Sequence, residues 1–188
     1  MEAVREIEYK NHVIKIFQDE DYSSSDMFND DDEVFLLYYH RDFFITRKGF
    51  NEPRNAETIK DWKTKYHMFT VYAYIHSSIL LSLSNTNYPF SDQWDVSNCG
   101  FVMIKKDSGI ENPEEAAQAL INEYNDILSG NVYGYEIVFN NGIDKIDSCW
   151  GLIGDIDKSG IIDEAKAVID GNIERNAEKY ATQLTLNL

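Results

Sequence analysis

The sequence predicts an α+β fold, a mainly antiparallel sheet with two to three helices packed on one of its faces. Short apolar runs of strand length occur in neighbouring pairs, and longer segments repeat apolar residues at helical spacing. Strands mixed with a few helices favour α+β over an alternating α/β fold. With 188 residues, 43% of them hydrophobic, the chain has enough apolar surface for one substantial core.

The N-terminal part is predicted to hold two strands separated by an acidic tract. Residues 14–17 are a short strand candidate interrupted by Lys15, and residues 34–39 form an apolar and aromatic run typical of a buried strand. We therefore predict an acidic segment over residues 1–33 and a single folded domain over residues 34–188. The tract contains no basic residue, and its acidic residues are Asp19, Glu20, Asp21, Asp26, Asp30, Asp31, Asp32 and Glu33.

Two elements are predicted between residues 43 and 62. Residues 43–46 form a second apolar run, and Arg47-Lys48-Gly49 marks the turn after it. Asn55 is well suited to cap a short helix that continues through Trp62, because an Asn side chain accepts a hydrogen bond from the first helical turn.

The central strands are predicted from alternation. Residues 68–75 alternate aromatic and small side chains, and residues 79–83 form their predicted antiparallel neighbour across a bend at His76-Ser77-Ser78. Residues 85–97 are polar and aromatic and indicate a long loop of the kind that is often functional. Residues 100–105 are predicted as the next strand.

The strongest helix signal begins at Asn112. Asn112 supplies a cap, Pro113 suits the first helical position, and Gly130 ends the pattern. The predicted apolar stripe consists of Ala117, Leu120, Ile121, Tyr124, Ile127 and Leu128.

The C-terminal part predicts a hairpin and a helix. Residues 132–139 and 143–146 flank Asn140-Asn141-Gly142, whose Asn-Gly pair is a strong hairpin signal, and the second strand is expected to continue to residue 153. A helix is predicted over about residues 161–182, weakened in its middle by Gly171.

The charge of the chain restricts its partners. Seventeen basic and 33 acidic residues give a formal charge of −16, which repels phosphate backbones and anionic lipid and attracts basic protein surfaces. The charge indicates either solubility alone or a decoy surface that occupies a nucleic-acid channel of another protein. Broad nucleic-acid binding is not expected because of this charge. Membrane association is not expected either, since no apolar run is long enough for a signal peptide or a membrane span.

The two cysteines indicate a reducing compartment. Cys99 and Cys149 lie far apart in sequence and form no C-x-x-C motif, so neither a zinc ribbon nor a thioredoxin-like site is expected. We expect two buried thiols, a cytoplasmic location in a bacterial host and no cofactor.

Two histidines at strand junctions are the candidate catalytic groups. His40, Arg41 and Asp42 lie between two apolar runs, and His76 lies at the predicted bend. Two imidazoles that titrate near neutrality, with Arg41 to hold a phosphate, could cleave RNA without a metal. Arg47 and Lys48 would add local positive charge. The alternative is structural, with Arg41 paired to an acidic residue.

Two carboxylate patterns could hold a cation. Asp155, Asp157 and Ser159 match the first half of an EF-hand loop, but Lys166 occupies the position that needs a bidentate Glu. We predict a polar turn in which Ser159 caps the last helix, with calcium as the weaker alternative. The aspartates Asp92, Asp95 and Asp147 are a magnesium alternative, although chance proximity is common in so acidic a chain.

Four segments carry a family resemblance. They are HRDFF at residues 40–44, AYIHSSILLSLS at 73–84, WD at 94–95 with CGFV at 99–102, and DSCWG at 147–151. Together they resemble small acidic proteins from phages and mobile elements of low-GC Gram-positive bacteria, over a core of about residues 34–155. The chain departs from that pattern at Ser78, where Gly is expected, and at residues 152–153.

The resemblance implies an anti-CRISPR-like, anti-defence factor directed at a Cas9-type effector. Within such a group the expected activity is either to block the effector protein through the acidic tract or to cut its guide RNA through His40 and His76. A host-takeover binding protein unrelated to CRISPR is the third possibility. Oligomeric state is left open.

Overall fold

The computed structural model describes residues 1–22, 33–40, 55–84, 96–139 and 144–186. Within them the chain forms two antiparallel four-stranded sheets and three helices, which confirms the predicted α+β class. In chain order the elements are β1 (Arg5–Tyr9), β2 (His12–Gln18), β3 (Val34–Tyr38), α1 (Ala56–Lys65), β4 (Tyr66–Ile75), β5 (Ile79–Leu83), β6 (Val96–Lys105), α2 (Pro113–Leu128), β7 (Val132–Phe139), β8 (Lys145–Ile153) and α3 (Ile161–Leu186).

The chain divides into two compact units. One unit contains Met1–Asp21 and Gly130–Leu188, and the other contains Tyr22–Ser129. We call them the terminal unit and the central unit. The predicted domain boundary at residue 33 concerns independent folding, so it stays a prediction.

The terminal unit packs one helix on a sheet of order β1-β2-β7-β8. The register places Ile14 opposite Ile137 and Ile16 opposite Tyr135, so these four side chains share one face of the sheet. They pack against the α3 side chains that recur every four residues and are fully buried: Ile161, Ala165 and Ile169. This face provides the main apolar cluster of the unit.

Strand β1 is an element that the sequence analysis did not predict. Lys10 and Asn11 join it to β2 with φ angles of 46° and 64°, the left-handed conformation of a tight hairpin turn that Asn tolerates. The hairpin is tied to α3 by Lys10 Nζ, which donates to Asp170 Oδ1 at 2.8 Å, and by Tyr9 Oη, which donates to Asp170 Oδ2 at 3.2 Å.

The central unit has a sheet of order β3-β6-β4-β5 with helices on both faces. On one face α2 inserts Ala117, Ile121 and Tyr124, all fully buried. On the other face α1 places the buried Trp62 against Leu37 and Met103. The prediction of helices on one face is therefore wrong for this sheet. Its strands alternate two apolar sets, and each set needs a covering element.

Most predicted elements are confirmed where the structure describes them. Asn55 caps α1 by accepting a hydrogen bond from Thr58 N at 2.8 Å, and Asn112 caps α2 by accepting one from Glu115 N at 3.4 Å. The strand predicted from residue 100 begins earlier, at Val96, because it pairs with β4 up to Tyr74. The predicted strand 43–46, the turn at residues 47–49, the loop up to residue 95 and the turn at 140–142 lie outside the described residues.

Close backbone approach explains Gly100. A Cβ atom there would lie 2.1 Å from the carbonyl oxygen of Leu37 on the neighbouring strand β3. In contrast, a Cβ atom at Gly171, within α3, would meet no atom within 4 Å. The weakness that Gly171 brings to α3 is therefore one of chain entropy and not of packing.

The outer edge of β5 is covered by a side chain of α2. The amide of Asn125 accepts a hydrogen bond from Leu81 N at 2.8 Å and donates one to Leu81 O at 2.9 Å. A side-chain amide thereby completes the pairing that a further strand would supply at this residue.

We predict opposite effects for alanine at the two glycines. Gly171→Ala is expected to raise the free energy of unfolding by about 0.5–1 kcal/mol, because alanine has less chain entropy to lose in a helix. Gly100→Ala is expected to lower it by about 3 kcal/mol or more, because backbone atoms cannot move away from the new methyl group. Urea unfolding measures both. An unchanged Gly100→Ala variant would contradict the register of β3 and β6.

We predict that Asn125→Ala lowers the free energy of unfolding by about 1–3 kcal/mol, since both backbone groups of Leu81 lose their partner. Asn122→Ala is the matched control, because Asn122 is exposed on the same helix and bonds only Gln118 among the hydrogen bonds found in the described residues. Thermal unfolding of the two variants tests the contact. Equal stability of the two variants would contradict it.

Candidate functional site

The structure separates the two candidate catalytic histidines along one sheet. Tyr39 N donates to Cys99 O at 2.9 Å, so His40 follows β3 at about the level of Tyr72, on the far side of β6. His76 lies four residues beyond Tyr72 along β4. At about 3.3 Å per residue and about 4.8 Å between strands, the two Cα atoms are roughly 16 Å apart.

The ring of His76 has its own local partner. It stacks on Tyr74 with 6.4 Å between the ring centroids and an interplanar angle of 28°. A metal-independent ribonuclease needs acid and base within hydrogen-bond reach of one phosphodiester. The described residues do not bring the two imidazoles together in that way, and Arg41 and Asp42 lie outside the described residues.

The described part of the acidic tract lies at two strand ends. Asp19 Oδ2 accepts a hydrogen bond from Gly151 N at 3.1 Å, so this carboxylate anchors the end of β2 to β8. Glu20 and Asp21 follow it, and the carbonyl oxygen of Glu33 accepts a hydrogen bond from Lys105 N at 2.9 Å. The four remaining acids of the tract lie outside the described residues: Asp26, Asp30, Asp31 and Asp32.

The half EF-hand pattern forms a polar turn. Asp155 Oδ1 accepts a hydrogen bond from Asp157 N at 3.0 Å, and the Asp155 carbonyl accepts one from Ser159 N at 2.8 Å. Asp157 pairs with Arg5 at 2.6 Å. The segment before the turn is strand β8, where an EF-hand has a helix.

The predicted cap at Ser159 is wrong. Helix α3 begins at Ile161 and its first backbone bond runs from Glu164 N to Gly160 O, whereas the buried Ser159 hydroxyl has no hydrogen-bond partner among the described residues. The left-handed φ of 82° at Gly160 sets the direction in which the chain enters the helix.

The described residues contain no cluster that supports the predicted calcium or magnesium alternatives. Among the residues that the structure describes, no three His, Cys, Asp or Glu side chains form a group that could hold a metal ion. Asp147 Oδ1 accepts a hydrogen bond from Ser148 N at 2.8 Å. Its proposed magnesium partners Asp92 and Asp95 lie outside the described residues.

The two cysteines are not bonded to each other. Cys99 is fully buried, as predicted, and burial raises the pKa of its thiol to about 12. Cys149 is only half-buried, contrary to the prediction, and its thiol pKa is raised first by burial and then by the carboxylate of Glu164. Neither thiol has the electropositive setting of a reactive cysteine.

Helix α2 presents an acidic outer face that the sequence analysis did not single out. Its sixteen residues contain four carboxylates and no basic residue. Glu114, Glu115 and Glu123 are exposed, while Tyr124 and the rest of the apolar stripe face the sheet. The signal was available in the sequence as a helix with acids on one side and no cation to pair with them.

The comparisons with known proteins add no relative. No family model, curated protein or solved structure matches this chain. Within the described residues, no helix combines the length and apolar character needed to cross a bilayer.

We predict that Asp126→Asn lowers the pKa of Glu123 without returning it to its ordinary value. The pKa of Glu123 is raised first because neighbouring protein atoms remove part of its hydration, and second by the Asp126 carboxylate. A raised folded-state pKa means that Glu123 contributes less stability as the pH rises above the ordinary glutamate value. Carboxyl titration by NMR measures the pKa of Glu123 in the wild type and in the variant. An equal pKa of Glu123 in both proteins would contradict a contribution from Asp126.

Proposed function

We propose that this protein is a stoichiometric inhibitor of a CRISPR–Cas9-type effector, an anti-defence protein of a phage or mobile element that binds a positively charged protein surface. The observation that carries the proposal is the acidic outer face of α2, which holds exposed carboxylates on a rigid element without any basic residue. The family resemblance of the four segments supplies the class of target.

The charge of each unit supports a binding role. The terminal unit has 16 acidic and 8 basic residues and the central unit has 17 and 9, so each carries a formal charge of −8. A Cas9-type effector holds its guide–target duplex in a positively charged channel. Opposite charge accelerates encounter and selects against partners of like charge, and both effects weaken as salt is added.

The competing enzyme hypothesis needs His40 and His76 to act on the same phosphate. Their separation of roughly 16 Å along the sheet, together with the stacking of His76 on Tyr74, favours binding over guide-RNA cleavage. A host-takeover role would use the same acidic surface on a different basic partner.

We predict that neutralising the acidic surface weakens binding to guide-loaded Cas9. Two triple variants test it. The first, Glu111→Gln/Glu114→Gln/Glu123→Gln, changes two exposed carboxylates of α2 and the exposed Glu111 directly before its cap. The second, Asp30→Asn/Asp31→Asn/Asp32→Asn, changes the tract. With each exposed charge contributing about 0.5 kcal/mol, one triple variant should bind about tenfold more weakly. Affinity is measured by biolayer interferometry across a salt series, with circular dichroism as the folding check.

The control is Glu2→Gln/Glu8→Gln/Glu174→Gln, which removes the same charge from exposed residues of the terminal unit. Equal weakening by this control would contradict the assignment to α2 and the tract. In a second experiment the wild-type protein is incubated with guide-loaded Cas9, and the guide RNA is then run on a denaturing gel. Intact RNA with lost DNA cleavage supports the inhibitor, shortened RNA that depends on His40 and His76 supports the nuclease, and no effect on either excludes the CRISPR target.

A further inference from the structure

The central unit has a basic cluster at one end of its sheet, in spite of its net negative charge. Five of its nine basic residues lie on α1 from its middle onward, at the last residue of β6 or directly after β6. The register places Tyr66, the first residue of β4, opposite Lys105, the last residue of β6. This pairing joins the two groups, which are Lys60, Lys63 and Lys65 on α1, and Lys105 and Lys106.

Two backbone and side-chain contacts hold this cluster in place. Lys106 N donates to the carbonyl of Lys65 at 3.0 Å, and Lys106 Nζ donates to the carbonyl of Lys63 at 2.6 Å. The second contact satisfies a carbonyl in the last turn of α1, where a cation also complements the helix dipole. The fold therefore brings Lys65, Lys105 and Lys106 together at this end of the sheet.

A cleft of about 390 Å³ opens among these residues. Its lining combines three lysines with one threonine, one tyrosine and one aspartate, and consists of Thr64, Lys65, Tyr66, Lys105, Lys106 and Asp107. The rings of Tyr66 and Phe35 are perpendicular, with 5.8 Å between centroids and an angle of 87°, and the half-buried Tyr66 also packs against the cluster of Leu37, Trp62 and Met103. The cleft thus places ammonium groups beside a positioned aromatic side chain.

The charge balance in the cleft is positive although that of the molecule is negative. Lys65 pairs with Asp61 at 2.8 Å in an exposed salt bridge that an incoming anion can replace at small cost. Asp107 is the carboxylate in the lining. At physiological salt, charges more than about 8 Å away are largely screened, so a ligand in the cleft experiences the lysines more strongly than the distant acids.

We propose that this lysine cleft binds the phosphodiester backbone of single-stranded nucleic acid. Lysine ammonium groups bind phosphate as point charges, and an aromatic ring beside them offers a stacking surface for a base of any sequence. A free phosphate would use the lysines alone, and an acidic peptide has no base to stack on Tyr66. The inference goes beyond the proposed inhibitor and does not depend on it.

The test uses the full chain and a fluorescein-labelled single-stranded RNA of about 12 nucleotides, a length within the usual site sizes of single-strand binders. Binding is measured by anisotropy at several salt concentrations between about 50 and 200 mM. The wild-type protein should bind with a negative salt slope. Lys65→Gln/Lys105→Gln should bind more weakly, with a slope smaller by about 1.4, since each phosphate contact of a single strand contributes about 0.7.

Controls separate the possible outcomes. Lys145→Gln/Lys158→Gln removes the same charge from exposed lysines of the terminal unit and should keep the wild-type slope. Tyr66→Leu should weaken RNA binding and leave the slope unchanged. The proposal would be overturned if the wild-type protein did not bind the RNA, or if the control variant lost as much binding as Lys65→Gln/Lys105→Gln. It would also be overturned if inorganic phosphate or a poly-glutamate peptide, at the same concentration as the RNA, displaced the RNA completely.

Discussion

Two hydrogen bonds between the Asn125 amide and the backbone of Leu81 hold α2 against the outer edge of β5. Because the same amide both accepts and donates, it fixes the position of the helix along the strand as well as its rotation. Tyr124, the neighbouring residue, is then directed into the core, where it is fully buried. The acidic face must point away from the sheet as a consequence, so the surface chemistry of this helix follows from one edge contact.

The stability of α2 has to come from packing and capping. A carboxylate pair such as Glu123 and Asp126 costs a few tenths of a kcal/mol at this spacing, and α2 itself contains no basic residue. Burying Ile121 and Tyr124 contributes about 1.5–3 kcal/mol for each large side chain. Asn112 caps the first turn by accepting from Glu115 N, and its side-chain amide also donates to the Glu115 carboxylate at 3.0 Å. Burial therefore outweighs repulsion, and the acidic face can be kept for another use.

Local signals in the sequence predicted the α+β class and most helices and strands, but the single predicted sheet is wrong: the strands form two sheets, and this division depends on long-range register. The Asn112-Pro113 start of α2 was predictable because a cap and a first-turn proline act within a few residues. Strand β1 was missed because its burial comes from β2 and from its contacts with α3, including Tyr9 with Asp170. The histidine pair was proposed from strand ends alone, and only the register reveals the offset between His40 and His76.

The lysine cleft illustrates the same limit and also changes the interpretation of the charge. Lys65 and Lys105 are forty residues apart in sequence, and the antiparallel pairing of β4 with β6 brings their strand ends together. Net charge governs approach at long range, whereas screening leaves contact energies to the groups within about 8 Å. An acidic helix and a basic cleft can therefore act on different partners from one unit. A ribonucleoprotein presents both kinds of surface, since its protein is basic and its RNA is a polyanion. The acidic face of α2 and the lysine cleft would complement such a partner better than the net charge of the central unit suggests.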